Sequence, residues 1–331
     1  MGPDFASSYT IQKLGAIPGV PSTIGGITFK SDDPDVLLVG GAANSTVGGI
    51  YAARVTRGDN GQINGFAGPA VRYAGAPGID GGIAYAPGNI ILYTTWPDNT
   101  VGEITPGGTG PSKSISLSPL GFVSSVGAIS IVPPGFPGAG RLKLTSYNAS
   151  LWYDTTLAPD GAGTFNIGPS SASIPIASGP EGIVFVEGGN PGFLNPSILV
   201  SCYGIGQIVT YQTNANGDPI TSTLRQFITG LSTAEGGTRD PRTGSYLFST
   251  VGNKLIVVSG FSAGANCPGD LNHDTVVDDA DFIVFIQAYN LLDCADPTMP
   301  SGCPADLNHD SIVDDADFVV FVVAYNKLIC D

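Results

Sequence analysis

The stretch Asp80-Gly81-Gly82-Ile83-Ala84-Tyr85 recurs in altered form as IGGITF at 24–29, VGAISI at 126–131, EGIVFV at 181–186 and EGGTRD at 235–240. Successive copies lie ~45–56 residues apart, the length of a four-stranded propeller blade. Between them run short apolar segments broken by Gly, Pro, Asn and Asp, the pattern of strands and tight turns. Three turns also correspond: Arg57-Gly58-Asp59-Asn60-Gly61, Pro159-Asp160-Gly161 and Asn214-Ala215-Asn216-Gly217. Their Asn-Gly and Asp-Gly pairs supply the positive φ of hairpins. The last unit is one strand short, and Tyr9-Thr10-Ile11-Gln12-Lys13-Leu14 is placed to complete it and leave no open sheet edge. The reading is an all-β propeller over residues 1–261 with about five four-stranded blades, six or seven also being compatible with the spacing.

Composition agrees with a turn-dense β body. Of 331 residues 47 are Gly and 26 are Pro, and 42% are hydrophobic against 12% charged. No apolar run reaches the ~18 residues of a membrane span, and Met1-Gly2-Pro3-Asp4 reads as a processed or engineered start. Charge is concentrated at one end. Residues 267–331 hold thirteen Asp and one basic residue, Lys327, whereas residues 1–266 hold fifteen acidic and twelve basic residues. No basic patch exists to neutralise phosphates, which argues against nucleic acid as a partner.

The acidic end is a repeat. CPGDLNHDTVVDDADFIVFIQAYNLLDC (267–294) returns thirty-six residues later as CPADLNHDSIVDDADFVVFVVAYNKLIC (303–330), identical at 20 of 28 positions. Each copy holds D-x-N-x-D-x-x-x-D-x-x-D running into an apolar segment of helical length, the ligand spacing of an EF-hand calcium loop. Loop positions 1, 3, 5, 9 and 12 are Asp270, Asn272, Asp274, Asp278 and Asp281, with the Val276 carbonyl at position 7. The second set is Asp306, Asn308, Asp310, Asp314 and Asp317, with the Ile312 carbonyl. Two Ca²⁺ ions are expected. Position 6, normally Gly, is Thr275 or Ser311, where a left-handed backbone costs ~1 kcal/mol.

These loops, the D-x-x-D-F transition and the M-P-S-G-C-P-A-D-L-N junction resemble the dockerin modules of secreted bacterial proteins, especially the cysteine-bearing, planctomycete-type variety. The resemblance covers residues 267–331, with 262–266 as a short linker. It implies two F-hand halves of pseudo-two-fold symmetry that bind Ca²⁺ and dock to a cohesin-like receptor. Dockerins choose partners through loop positions 10 and 11. Here these are Asp279-Ala280 and Asp315-Ala316, not the common hydroxyl pairs.

Four cysteines bracket the repeats, which favours disulfides and an oxidising, extracellular compartment. Zinc is the rival use of four cysteines, but no C-x-x-C pair is present. A Cys267–Cys294 bridge would have to span a helix of ~20 Å, beyond the ~6 Å Cα limit. Antiparallel helices would pair Cys267 with Cys330 and Cys294 with Cys303. On a helical wheel Phe282, Phe285, Ile286 and Tyr289 share a face, as do Phe318, Phe321, Val322 and Tyr325, and these are the expected core. The opposite face carries Ile283, Val284, Leu291, Val319, Val320 and Val323, the expected partner-binding surface. It could instead pack on the chain's own body.

In the body the Gly-x-apolar-x-aromatic strand starts loosely resemble NHL and gluconolactonase-like (SMP-30) propellers. The only histidines, His273 and His309, sit inside the calcium loops, so His-based catalysis is excluded from the body. Asp80, Glu181 and Glu235 each precede the Gly that opens an inner strand and should converge near the channel mouth. The resemblance implies a divalent-metal role for Glu181 and Glu235 at most. A glycosidase-like pair or plain bonding to backbone amides are the other readings. Cys202 lies in an apolar run and reads as a buried, inert thiol. Arg57-Gly58-Asp59 spells an adhesion tripeptide that hairpin chemistry also explains.

The sequence therefore reads as a secreted, non-enzymatic, calcium-binding propeller. It attaches to a cohesin-like receptor or a surface, or assembles with other copies into a filament, with a carbohydrate as a possible ligand. The alternative is a carbohydrate-active or lactone-hydrolysing enzyme delivered by its dockerin.

Overall fold

A computed structural model describes the chain except residues 253, 262–268, 272–276, 297, 301–302, 309 and 327–331, and the side chain of Ala172. It divides into two compact units: Met1–Asp240 with Ser245–Gly260, and Pro241–Gly244 with Phe261–Asp331.

The first unit is a five-bladed β-propeller. Its inner strands are Ile27–Lys30, Ile79–Ala86, Val126–Ile131, Pro180–Val186 and Ala234–Arg239, the five recurring segments of the sequence. Each continues outward through antiparallel neighbours, as in blade 4, where Pro180–Val186, Ser197–Cys202, Gln207–Gln212 and Arg225–Ile228 follow in order. Blade 5 is completed from the other end of the chain. Thr10–Gly15 pairs with Lys254–Ser259, so the last sheet has no missing strand.

The three turns lie in matching places. Each follows the third strand of blade 1, 3 or 4, and the outermost strand comes later, at Val71–Gly75, Ala172–Pro175 and Arg225–Ile228. In blade 3 the turn sits in a separate hairpin, Leu157–Pro159 with Phe165–Ile167. Gly61, Gly161 and Gly217 take φ of 72°, 80° and 79°, the left-handed backbone such turns require. Arg57 bonds Asp35, Asp240 and the Gly61 carbonyl, so the arginine of Arg57-Gly58-Asp59 is engaged within the propeller.

Strands are apolar on both faces because both faces are buried. Along Asp33–Gly41, Leu37 and Val39 pack with Leu247, Leu255 and Val257 of blade 5, while Val36 and Leu38 pack with Ile79, Ile83 and Ile91 of blade 2. The period-2 alternation thus serves two neighbours rather than core and solvent.

Towards the axis the backbones close up. A Cβ on Gly25 would lie 2.3 Å from the Asp80 carbonyl, on Gly81 2.4 Å from that of Glu181, and on Gly127 2.2 Å from that of Pro180. One on Gly182 would lie 2.5 Å from the Glu235 carbonyl, and one on Gly236 2.6 Å from the Gly26 Cα. Glycine recurs at these starts because only hydrogen fits. Hydroxyls then join neighbouring blades. Thr94 Oγ1 donates to Gly127 O (2.6 Å), Thr145 Oγ1 to Pro180 O (2.9 Å) and Ser249 Oγ to Gly25 O (2.6 Å), each from a second strand to the next blade's inner segment.

The second unit is a small helical region. Helices α1 (Asp279–Tyr289) and α2 (Asp315–Tyr325) each begin with a capping box, Asp278 with Asp281 and Asp314 with Asp317. The Tyr289 hydroxyl donates to Asp315 and the Tyr325 hydroxyl to Asp279, so the end of each helix meets the start of the other. Phe285, Ala288, Phe321 and Ala324 form the core with Leu271, Val277, Ala305 and Val313.

The helix rotation differs from the wheel reading. Phe282, Ile286 and Phe318 are exposed, whereas Val284 of the supposed outer face packs against the core. Buried Asp281 and Asp317, whose carboxylates bond loop amides, turn the stripes 281-285-288 and 317-321-324 inward instead. Ile283, Val319 and Val323 are exposed, while Leu291 and Val320 are half-buried.

Candidate functional site

Three acids from three blades converge on the propeller axis. Asp80 sits on blade 2, Glu181 on blade 4 and Glu235 on blade 5, with one carboxylate oxygen of each within 4.8 Å of the others. Register shifts mark all three inner strands at this level, between Ile79 and Ile83, Pro180 and Gly182, and Ala234 and Gly237. Such bulges re-aim side chains. The corresponding positions of blades 1 and 3 are Ile24 and Val126, both buried. The cluster is therefore three acids and two apolar residues, not a ring of acids.

Its electrostatics are one-sided. The acids are 3–4% exposed. Asp80 bonds the Asn44 side chain and the Gly81 amide, yet burial still pushes its carboxyl up to about 7. Burial, and then the charges of Asp80 and Glu235, push Glu181 well above the usual carboxylate range, while burial and Asp80 do the same to Glu235. Glu181 Oε2 and Glu235 Oε2 are buried without a hydrogen-bond partner. The backbone-amide reading of these carboxylates fits Asp80 and fails for those two oxygens. Glu181 Oε2 lies against the inner-strand glycines, 2.6 Å from where a Gly81 Cβ would stand and 2.8 Å from one on Gly127. Tyr147 lies close enough for the three acids to help raise its hydroxyl, after burial, and it makes an edge contact with Tyr203 at 5.8 Å.

A second buried acidic group has the opposite construction. Lys143, fully buried on blade 3, donates to Asp154 (2.7 Å), Asp218 (2.5 Å) and the Asn216 carbonyl (2.8 Å). Trp152 Nε1 also donates to Asp218 (2.9 Å), and Arg141 Nε to Asp154 (2.6 Å). Despite its burial, these donors hold the Asp154 carboxyl down at about 2. The sequence reading did not single out this seam. Its signal was a Lys set between two leucines, Leu142 and Leu144, at the start of the strand Leu142–Ser146.

In the helical unit the second acidic loop gathers its carboxylates. Asp306, Asp310 and Asp317 each place an oxygen within 4.8 Å of the other two. Asp306 accepts from the Asp310 and Ser311 amides, Asn308 Oδ1 from Asp310 N, and Asp310 Oδ1 from Ile312 N. Ser311 has φ 73°, the left-handed turn expected at position 6. Asp314 caps α2 by accepting from Ala316 N at 2.8 Å. In the first loop Asp278 caps α1, Asp281 is fully buried and Asp270 is 6% exposed. Asn272, Asp274 and Val276 lie outside the described residues. The oxygen-only donor set and the tight left-handed turn fit a hard cation such as Ca²⁺.

Cys294 and Cys303 form a disulfide with Cα atoms 5.4 Å apart, which removes two of the four thiols that zinc would need. Cys267 and Cys330 lie outside the described residues. Cys202 is free and fully buried, its thiol pushed up to about 12 by burial. Among the described residues no helix is long and apolar enough to cross a membrane.

No family model matches the chain, and no curated protein matches it. Solved structures resemble it at low identity. Glutaminyl cyclase from Myxococcus xanthus is 11% identical, covering 76% of this chain and 95% of its own, with a TM-score of 0.45. Virginiamycin B lyase from Staphylococcus aureus is 13% identical, covering 76% and 99%, with a TM-score of 0.37. An auxiliary nutrient binding protein from Bacteroides thetaiotaomicron is 9% identical, covering 76% of each chain, with a TM-score of 0.39. Their diverse activities carry no argument for this chain at such scores, and function must come from the sites.

Proposed function

We propose that the protein is an extracellular calcium-binding propeller that attaches or assembles through its C-terminal helical unit, a paired F-hand module of the dockerin type spanning 267–331. The observation that carries this reading is the gathering of Asp306, Asp310 and Asp317 around a left-handed Ser311, at the ligand spacing that recurs in 270–281. The reciprocal bonds of Tyr289 to Asp315 and Tyr325 to Asp279 support two halves related by a pseudo-two-fold. The Cys294–Cys303 disulfide supports an oxidising compartment. Two Ca²⁺ ions hold the loops, and the exposed apolar side chains Phe282, Ile283, Ile286, Phe318, Val319 and Val323 meet a cohesin-like receptor or the next copy of the chain. Asp279 and Asp315, at loop position 10, are occupied by tyrosine hydroxyls, so partner choice rests on this apolar face.

Calorimetry on the full chain should find two calcium ions lost on Asp270→Ala with Asp306→Ala. Light scattering, with and without chelator, separates self-assembly from receptor docking. Particles that grow with calcium and disperse on chelation identify self-assembly. A chain monomeric in both states, with no calcium uptake by its tail, removes the proposal.

The enzyme reading rests on the convergence of Asp80, Glu181 and Glu235. It is the weaker one, because acids only 3–4% exposed leave no space for a sugar ring between them.

A further inference from the structure

We propose that Asp80, Glu181 and Glu235 form a buried divalent-cation site on the propeller axis, whose ion pins blades 2, 4 and 5 together as a structural element. The geometry is that of a site with its ligands already assembled. Three carboxylates from strands far apart in sequence bring oxygens within 4.8 Å of one another. Two of those residues each keep a buried oxygen with no hydrogen-bond partner, Glu181 Oε2 and Glu235 Oε2. Buried carboxylates are ordinarily paired or hydrogen-bonded, and the Lys143 seam shows that this propeller supplies such partners elsewhere.

The donors are all oxygen, with no His and no free Cys among them, which selects a hard cation, Ca²⁺ or Mg²⁺. Calcium is favoured because it accepts irregular oxygen sets, whereas magnesium requires near-octahedral geometry and retains waters. The site is sealed as well as acidic. Glycines bring the five inner strands into backbone contact, and no acid of the cluster is more than 4% exposed. An ion there reaches three blades and no substrate, so its effect falls on the stability of the propeller.

The test uses the full chain carrying Asp270→Ala and Asp306→Ala, so that calcium uptake by the tail loops is removed. Both tryptophans, Trp96 and Trp152, lie in the propeller unit, and their fluorescence reports its unfolding without interference from the tail. At pH 8 the expected result is one further equivalent of Ca²⁺ by calorimetry. At ~100-fold excess over Kd the melting temperature should rise by about 5 °C or more. Adding Glu181→Gln and Glu235→Gln should abolish both effects while leaving melting in chelator no lower than before, since neutral amides relieve the repulsion. No uptake, uptake without a melting shift, or uptake retained in the Gln variant would each overturn the proposal. Failure of tail-mediated docking leaves these readouts unchanged, so the two ideas fail separately.

Discussion

The axis and the seam between blades 3 and 4 are both acidic and both buried, yet they solve the problem of burial in opposite ways. At the seam Asp154 and Asp218 share Lys143, the Trp152 indole donates to Asp218, and Arg141 pairs with Asp154. At the axis Asp80, Glu181 and Glu235 face one another, and what acts on Glu181 is burial and like charge. One direction of shift follows from each: Asp154 is held down and the axial acids are pushed up. A carboxylate cluster complete with its own cations stays ionised; one without them favours its protonated form.

The sharpest way to break this contrast is to remove charge from each side. Lys143→Met removes the ammonium that the two buried aspartates share, leaving Arg141 on Asp154 and only the neutral Trp152 indole on Asp218, and should cost about 3–5 kcal/mol in urea unfolding. Trp152 fluorescence reports the loss directly, since its indole bonds Asp218. In chelator, Glu181→Gln with Glu235→Gln should do the reverse and raise stability by about 1–3 kcal/mol. Equal destabilisation by both would show that the axial acids are internally satisfied after all.

Acidity separates the regions next. Burial pushes the Asp80 carboxyl up to about 7 in the folded chain, above the ~4 of an unfolded carboxyl. Its folded form therefore holds a proton that the unfolded chain has lost, and stability falls as pH rises from 4 to 7. Asp154, held at about 2, contributes fully above ~4 and loses its contribution as pH drops from 4 towards 2. Chelated protein should thus be most stable near pH 4–5. A chelated optimum at pH 8 would contradict the axial half of the comparison.

Smaller effects test the surroundings. Thr145→Val removes the hydroxyl linking blade 3 to Pro180 O and should cost about 1–2 kcal/mol, whereas Ser201→Ala, at the matching place in blade 4, removes an oxygen without a partner and should cost less than that. Smallest of all, Ser311→Gly relieves a left-handed backbone. If the tail takes calcium as proposed, the change should add about 1 kcal/mol to binding, read as a roughly fivefold tighter second loop by calorimetry.

Much of the propeller was legible because close backbone approach demands glycine at a fixed place in each blade. Gly25, Gly81, Gly127, Gly182 and Gly236 announced five inner strands, and the shortfall of one strand announced closure by residues near the N-terminus. The axial acids were legible as positions for the same reason, since each precedes one of these glycines. What the sequence could not reveal was their surroundings, because partner atoms come from other blades. The Lys143 seam escaped for that reason, joining residues 143 and 218 across two blades. In the tail, hydrophobicity was a poor guide to helix rotation, since both helices are apolar nearly all round. Polar Asp281 and Asp317, drawn inward by loop amides, set it instead.

The completed fifth blade has a mechanical consequence. The chain leaves the propeller by way of Lys254–Ser259, a strand held between Tyr246–Thr250 on one side and Thr10–Gly15 on the other. Tension applied through the C-terminal unit enters the body on a strand clamped along both edges, so many hydrogen bonds share the load rather than parting singly. Under the attachment proposed above, load would reach the body at the place where its first and last strands are stitched together.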